Sequence, residues 1–221
     1  MPHLLKLITD DGKKISALYL HNPKAEFTLL ISHGNGEDLG SILHWLMTFY
    51  QNGFSVFAYD YHGYGTSEGS PSENNTYRDI DAAYQYLTFI LKVPTNRIIL
   101  FGRSLGSGPT IDLASTSPCA GVIIESGLLT AFRVITGIPL LPVDKYRNNQ
   151  KIKKIHVPIL FIHGTQDEVI PFWHGTQLFK LANSPKKSFW VQGALHNNVT
   201  EKAGKEYFKV ITEFAKSLSS E

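Results

Sequence analysis

Short apolar runs and longer helical patterns take turns along almost the whole chain, and this rhythm sets the expected architecture. "LLKLITDDGKKISALYL" alternates apolar and polar positions on either side of Asp10-Asp11-Gly12, the pattern of two short strands joined as a hairpin. The runs at 27–33 (FTLLISH), 54–60 (FSVFAYD), 97–102 (RIILFG), 121–126 (GVIIES) and 157–164 (VPILFIHG) are almost continuously apolar. Strands of a parallel sheet covered on both faces read this way. A last strand is expected at 187–193 (KSFWVQG). Apolar residues at helical spacing predict helices over 39–53, 76–92 and 199–218. Together these elements predict an α/β fold: a mostly parallel sheet with an antiparallel hairpin at one edge and helices on both faces.

With no internal repeat, low-complexity tract or charge block, the 221 residues read as one domain. One connection breaks the rhythm. The stretch 127–154 is longer than an ordinary loop and carries Pro139 and Pro142, so it reads as a short cap or lid. Its Leu128, Leu129, Phe132, Val134 and Ile138 are positioned either to line an apolar pocket or to form the buried face of a helix.

Composition narrows the class further. An apolar content of 43%, 18% charged residues and a net charge of +2 describe a globular chain with no electrostatic reason to bind nucleic acid. The only cysteine, Cys119, rules out an intramolecular disulfide. "MPHLLKLITDDGKK" lacks the apolar core of a signal peptide, and no window approaches the roughly 20 apolar residues of a membrane span. A cytoplasmic protein without an integral membrane segment is the expectation.

The chemistry concentrates in "FGRSLGSGPT" at 101–110. Gly102-Arg103-Ser104-Leu105-Gly106 is a G-x-S-x-G between an expected strand and an expected helix. A nucleophile on so sharp a turn has a strained backbone, and side chains two residues away on either side would collide; glycines relieve that collision. A serine near neutral pH needs a base and an orienting acid. Asp167 follows the strand at 157–164, and His196 follows the strand at 187–193. The chain order Ser, Asp, His, each just beyond a strand's carboxyl end, points to a Ser104–His196–Asp167 triad. Glu168 is the neighbouring alternative to Asp167, which the turn His163-Gly164-Thr165-Gln166 favours. An oxyanion hole is expected from the backbone N–H groups of Leu105 and of Asn35, the latter on the turn His33-Gly34-Asn35-Gly36-Glu37. His33 is expected to brace that turn, and Tyr59, Tyr61, His62 and Tyr64 are expected mainly to pack beneath a loop. Gly34, Gly36 and Gly40 with Asp60 also imitate a dinucleotide-binding fingerprint, but that reading leaves the G-x-S-x-G unexplained. No cofactor or metal is expected.

"SHGNGEDLG", "AYDYHGYGTSEGSPSE", "FGRSLGSGPTIDLAS", "ILFIHGTQDEVIPFWHG" and "WVQGALHNN" resemble the α/β-hydrolase superfamily. More narrowly, they are similar to the abhydrolase-domain serine hydrolases that remove palmitate from proteins, and to their microbial relatives. The resemblance runs from about Phe27 to Asn198. It implies the same Ser104, Asp167, His196 triad, a short cap, and acyl ester or thioester substrates, which are small molecules, lipid-like or carried on a protein. The pattern departs in two places: "MPHLLKL" holds no cysteine cluster, and Leu195 stands where the family has a glycine. The expected activity is that of a carboxylesterase or thioesterase. A peptidase, an acyltransferase or a non-catalytic binding protein on the same scaffold are the alternatives.

Overall fold

Strand pairing in the computed structural model, which describes residues 3–131, 144–183 and 185–219, follows the apolar runs. β1 (His3–Ile8) and β2 (Lys14–Leu20) form the antiparallel hairpin, with His3 opposite Tyr19 and Ile8 opposite Lys14. The remaining strands are β3 (Thr28–Ser32), β4 (Ser55–Tyr59), β5 (Ile98–Arg103), β6 (Gly121–Glu125), β7 (Ile159–Gly164) and β8 (Lys186–Val191). They join the hairpin in one eight-stranded sheet of order β1-β2-β4-β3-β5-β6-β7-β8. β2 meets β4 antiparallel, and every pairing from β4 to β8 is parallel.

Successive side chains of a strand face opposite ways, so each parallel strand feeds two cores. On one face Leu30, Phe57, Leu100, Val122 and Phe161 pack with Ile80 and Ala83 of α2 (Glu73–Gln85), Ile111 of α3 (Ser107–Ala114) and Leu178 of α5 (Trp173–Leu181). On the other, Leu29, Ile31, Phe101, Ile123 and Leu160 meet Leu46 and Phe49 of α1 (Leu43–Gln51) and Tyr207, Ile211 and Phe214 of α7 (Lys205–Leu218). Burial on both sides is why these strands read as continuous apolar runs. Each fully buried aliphatic or phenyl side chain stabilises the fold by about 1.5–3 kcal/mol. α2 starts at the Ser72 hydroxyl, which accepts the Asn75 N–H at 3.1 Å as an N-cap. It ends in a wider π-helical turn over Tyr86–Ile90.

Among the boundaries that shift from the sequence expectation, two change the picture. The helix expected over 199–218 is two, α6 (Val199–Ala203) and α7, because Gly204 lies at φ +55°, ψ −132°, outside helical geometry. β5 runs one residue further, to Arg103, so the strand delivers that arginine to the sheet's carboxyl edge. Of the cap expected at 127–154, residues 132–143, with Phe132, Val134 and Ile138, lie outside the described residues. Leu128 and Leu129 are buried at 4% and 3% exposure, and the short α4 (Asn148–Lys151) follows Asp144–Arg147. Among the described residues, no helix is long and apolar enough to cross a membrane.

Candidate active site

Because β3, β5, β7 and β8 run parallel, the loops that leave their carboxyl ends share one edge of the sheet, and the expected residues meet there. Ser104 follows β5 directly at φ +53°, a left-handed conformation that non-glycine residues rarely hold. The glycines around it answer a packing demand. A Cβ on Gly102 would sit 2.6 Å from the Gly106 carbonyl oxygen, and one on Gly106 would sit 2.0 Å from the Ser32 carbonyl oxygen of β3. The serine hydroxyl therefore projects from a turn wedged between two strands and the start of α3.

His196 reaches that hydroxyl from the loop after β8, its Nε2 3.0 Å from Ser104 Oγ. Its Nδ1 donates to Asp167 Oδ2 at 2.8 Å, since a carboxylate there can only accept. With Nδ1 protonated, Nε2 is left as the acceptor for the serine proton. Asp167 in turn accepts the N–H groups of Val169 at 3.0 Å and Ile170 at 2.7 Å, and His163 Nε2 lies 3.3 Å from Oδ2. Burial alone would raise the Asp167 pKa. The hydrogen bonds from His163, His196 and the Ile170 amide outweigh it and hold the carboxyl well below the usual range. Asp167 is thus a fixed negative charge beside the imidazole. Glu168, the alternative acid, instead accepts the backbone N–H of His196 at 3.1 Å and so secures the loop.

The turn after β3 lies against the serine, for a Cβ on Gly34 would come 3.6 Å from Ser104 Cβ. Gly34 donates its N–H to Glu37 Oε2 at 2.6 Å, which leaves Asn35 as the next donor along the turn. Aromatic hydroxyls brace the turn: buried Tyr61 donates to the His33 carbonyl at 2.7 Å, and half-buried Tyr64 donates to Asn35 Oδ1 at 2.5 Å. His33, fully buried, contacts the Gly34 carbonyl through Nδ1 at 2.9 Å. Tyr59 pairs with Ser32 Oγ at 2.7 Å. His62 belongs to a separate cluster, its Nδ1 2.5 Å from Asp79 Oδ1.

The Hydrolase_4 family, described as serine aminopeptidase, S33, matches residues 23–140. Alpha/beta hydrolase domain-containing protein 17B of Xenopus tropicalis is 41% identical over 201 residues, covering 86% of this chain and 68% of the relative. The chain belongs to the α/β-hydrolases. The human 17B protein is 40% identical with the same coverage, and the mouse 17C protein is 42% identical over 182 residues, 80% of this chain and 56% of its own length. An esterase from Pyrococcus furiosus superposes with a TM-score of 0.84 at 16% identity, over 99% of this chain and 91% of that one. The α/β-hydrolase GrgF from Penicillium superposes with a TM-score of 0.81 at 15% identity over the full length of both. At those identities the two structures establish the hydrolase fold.

Three further features of this hydrolase's site come from its tertiary structure. Leu128, Tyr146 and Ile170 form a small apolar cluster against Leu105, the residue after the serine, on the side where the 127–154 segment begins and ends. Leu195, beside His196, is 41% exposed and donates its backbone N–H to Asn198 Oδ1 at 2.8 Å. Arg103, directly before the serine, is joined to Glu37, Glu125 and Asn197. The only sequence signal for it is a cation at the end of an otherwise apolar strand. Among the described residues, no group of three or more His, Cys, Asp or Glu is arranged to hold a metal ion.

Proposed function

We propose that this hydrolase cleaves carboxylic esters or thioesters through an acyl-enzyme on Ser104. What supports the reading is the unbroken hydrogen-bond line from Asp167 through His196 to Ser104 Oγ, at 2.8 and 3.0 Å, ending on a serine at φ +53°. Ser104 Oγ attacks the acyl carbon while its proton passes to His196 Nε2. The charge that develops on the imidazole is balanced by Asp167. The tetrahedral oxyanion is held by the N–H groups of Leu105 and Asn35, in a turn that aromatic hydroxyls and Glu37 already fix. Collapse breaks the bond to the alcohol or thiol, which leaves with the proton from Nε2. Water, deprotonated by the same nitrogen, then releases the acid and restores the serine. No step draws on a cofactor or metal.

The apolar cluster of Leu128, Tyr146 and Ile170 beside Leu105 favours an acyl chain over a charged group on that side. The substrate class is therefore a small or lipid-like acyl ester or thioester, and an acylated protein fits the same description. The family description, serine aminopeptidase, favours one second reading, amide cleavage after an N-terminal residue.

The test is labelling by a fluorophosphonate probe, wild type beside Ser104→Ala, followed by hydrolysis of p-nitrophenyl esters from acetate to palmitate and of aminoacyl p-nitroanilides. The wild type is expected to label and to turn over the esters. Ser104→Ala is expected to lose labelling and on the order of a millionfold in kcat. Retained turnover in the variant would sink the mechanism, and anilides cleaved faster than esters would select the amide reading.

A further inference from the structure

The residue before the serine carries a charge for which the chemistry above has no use. Arg103 closes β5 with its side chain only 14% exposed, and it reaches three separate segments. Its Nη1 donates to Glu37 Oε1 in the turn after β3. Nη2 donates to Asn197 Oδ1 at 3.1 Å, in the loop that carries His196. Nε lies 3.3 Å from Glu125 Oε1 at the end of β6, a carboxylate that also accepts the Tyr207 hydroxyl from α7.

A buried ion pair of this kind adds little net stability compared with well-packed apolar residues. What a guanidinium adds is geometry: a planar fork whose donors point in fixed directions. Here two of those directions end on the two loops whose placement the reaction depends on. Glu37 relays one of them, because its other oxygen pins the Gly34 N–H one residue before Asn35. Asn197 relays the other to the residue after His196. The two loops otherwise approach the serine from different strands, β3 and β8, at opposite sides of β5 in the sheet.

Resting on the reading of Ser104 as nucleophile, we propose that Arg103 is a positioning residue that locks the oxyanion-hole turn to the histidine loop through Glu37 and Asn197. It touches no reacting atom. Its effect falls on the fraction of encounters in which Asn35 N–H and His196 Nε2 are both in place, and so on kcat.

A cleft of about 570 Å³ opens beside the guanidinium, lined by Glu37, His44, Trp45, Glu125, Asn197 and Glu201, and it supplies a direct experiment. Truncation to Arg103→Ala leaves a guanidinium-sized space that a free guanidinium ion enters from that cleft. Ester turnover is measured per active site, with sites counted by fluorophosphonate titration, so that unfolded molecules do not register. Arg103→Ala is expected to lose about 100-fold in kcat, the scale of a 1 Å misplacement, with KM changed by less than about threefold. Guanidinium at tens of millimolar, on the order of a hundredth of a denaturing concentration, restores about tenfold in the variant and nothing in the wild type. Methylammonium, which lacks the planar fork, does not. Asn197→Ala, an exposed substitution that leaves the buried carboxylates paired, is expected to lose about tenfold in kcat.

Wild-type kcat per labelled site in Arg103→Ala, or a loss that guanidinium does not restore and Asn197→Ala does not reproduce, overturns this assignment alone. A wild type that neither labels nor turns over removes the serine reading and the inference with it.

Discussion

Replacing Gly106 by alanine separates the two demands made on that glycine, because only one of them operates there. Gly106 sits at φ −60°, ψ −18°, a conformation any residue adopts, so alanine meets no backbone penalty. At the start of a helix it would even gain up to about 1 kcal/mol in propensity. The added methyl, however, would lie 2.0 Å from the Ser32 carbonyl oxygen, 2.6 Å from its carbon and 2.8 Å from the His33 oxygen. Ordinary contact needs about 3.5 Å, so the two backbones must separate by more than about 1 Å. β3 is held between β4 and β5 and cannot retreat, which leaves α3 and the turn bearing Ser104 to move. Overpacking on this scale costs about 1–3 kcal/mol, and more where both sides are backbone. Set against the propensity gain, the net destabilisation is about 2 kcal/mol, or about 4–8 °C in Tm for a domain of this size. Displacement of the serine by about 1 Å lowers kcat/KM about 100-fold. Thermal melts by circular dichroism and ester kinetics on titrated sites read both effects. Gly40→Ala, whose methyl meets only Asp38 Oδ1 at 3.4 Å, is the control and should stay within about 0.5 kcal/mol of the wild type. Gly106→Ala with the Tm and kcat/KM of the wild type would refute the close-packed turn.

Asp167→Asn keeps the shape of the acid but leaves the imidazole free to take the wrong tautomer, and kcat should fall by about 10⁴. The same variant reports on acid stability. The folded carboxyl is held below its unfolded value, so its contribution is fully present above about pH 4 and is lost as pH falls through the folded value. Urea midpoints should therefore drop more between pH 5 and pH 3 for the wild type than for Asp167→Asn; parallel drops would contradict the assignment. Cys119 is buried, and desolvation pushes its thiol up to about 12. Iodoacetamide at pH 8 should leave it unmodified in the folded protein and alkylate it rapidly in denaturant; rapid labelling without denaturant would show that the region opens.

Much of the molecule was legible along the chain because the information is local. Strands buried on both faces must be apolar at nearly every position, which is why 27–33, 97–102 and 157–164 could be read directly. The G-x-S-x-G and the order Ser104, Asp167, His196 are local too, each residue marked by the strand it follows, and the fold brings all three within hydrogen-bond reach. The break at Gly204 escaped because the apolar spacing continues across it and only the backbone angles differ. What the chain alone did not reveal is which loops touch. Arg103 is 66 residues from Glu37 and 94 from Asn197, and no periodicity links them. They meet because β3 lies beside β5 and β8 beyond β7 in the sheet, an order decided by crossover connections and the packing of helices on both faces. Sequence determined the elements and the candidate site residues, while the order of strands decided the contacts that hold those residues in place.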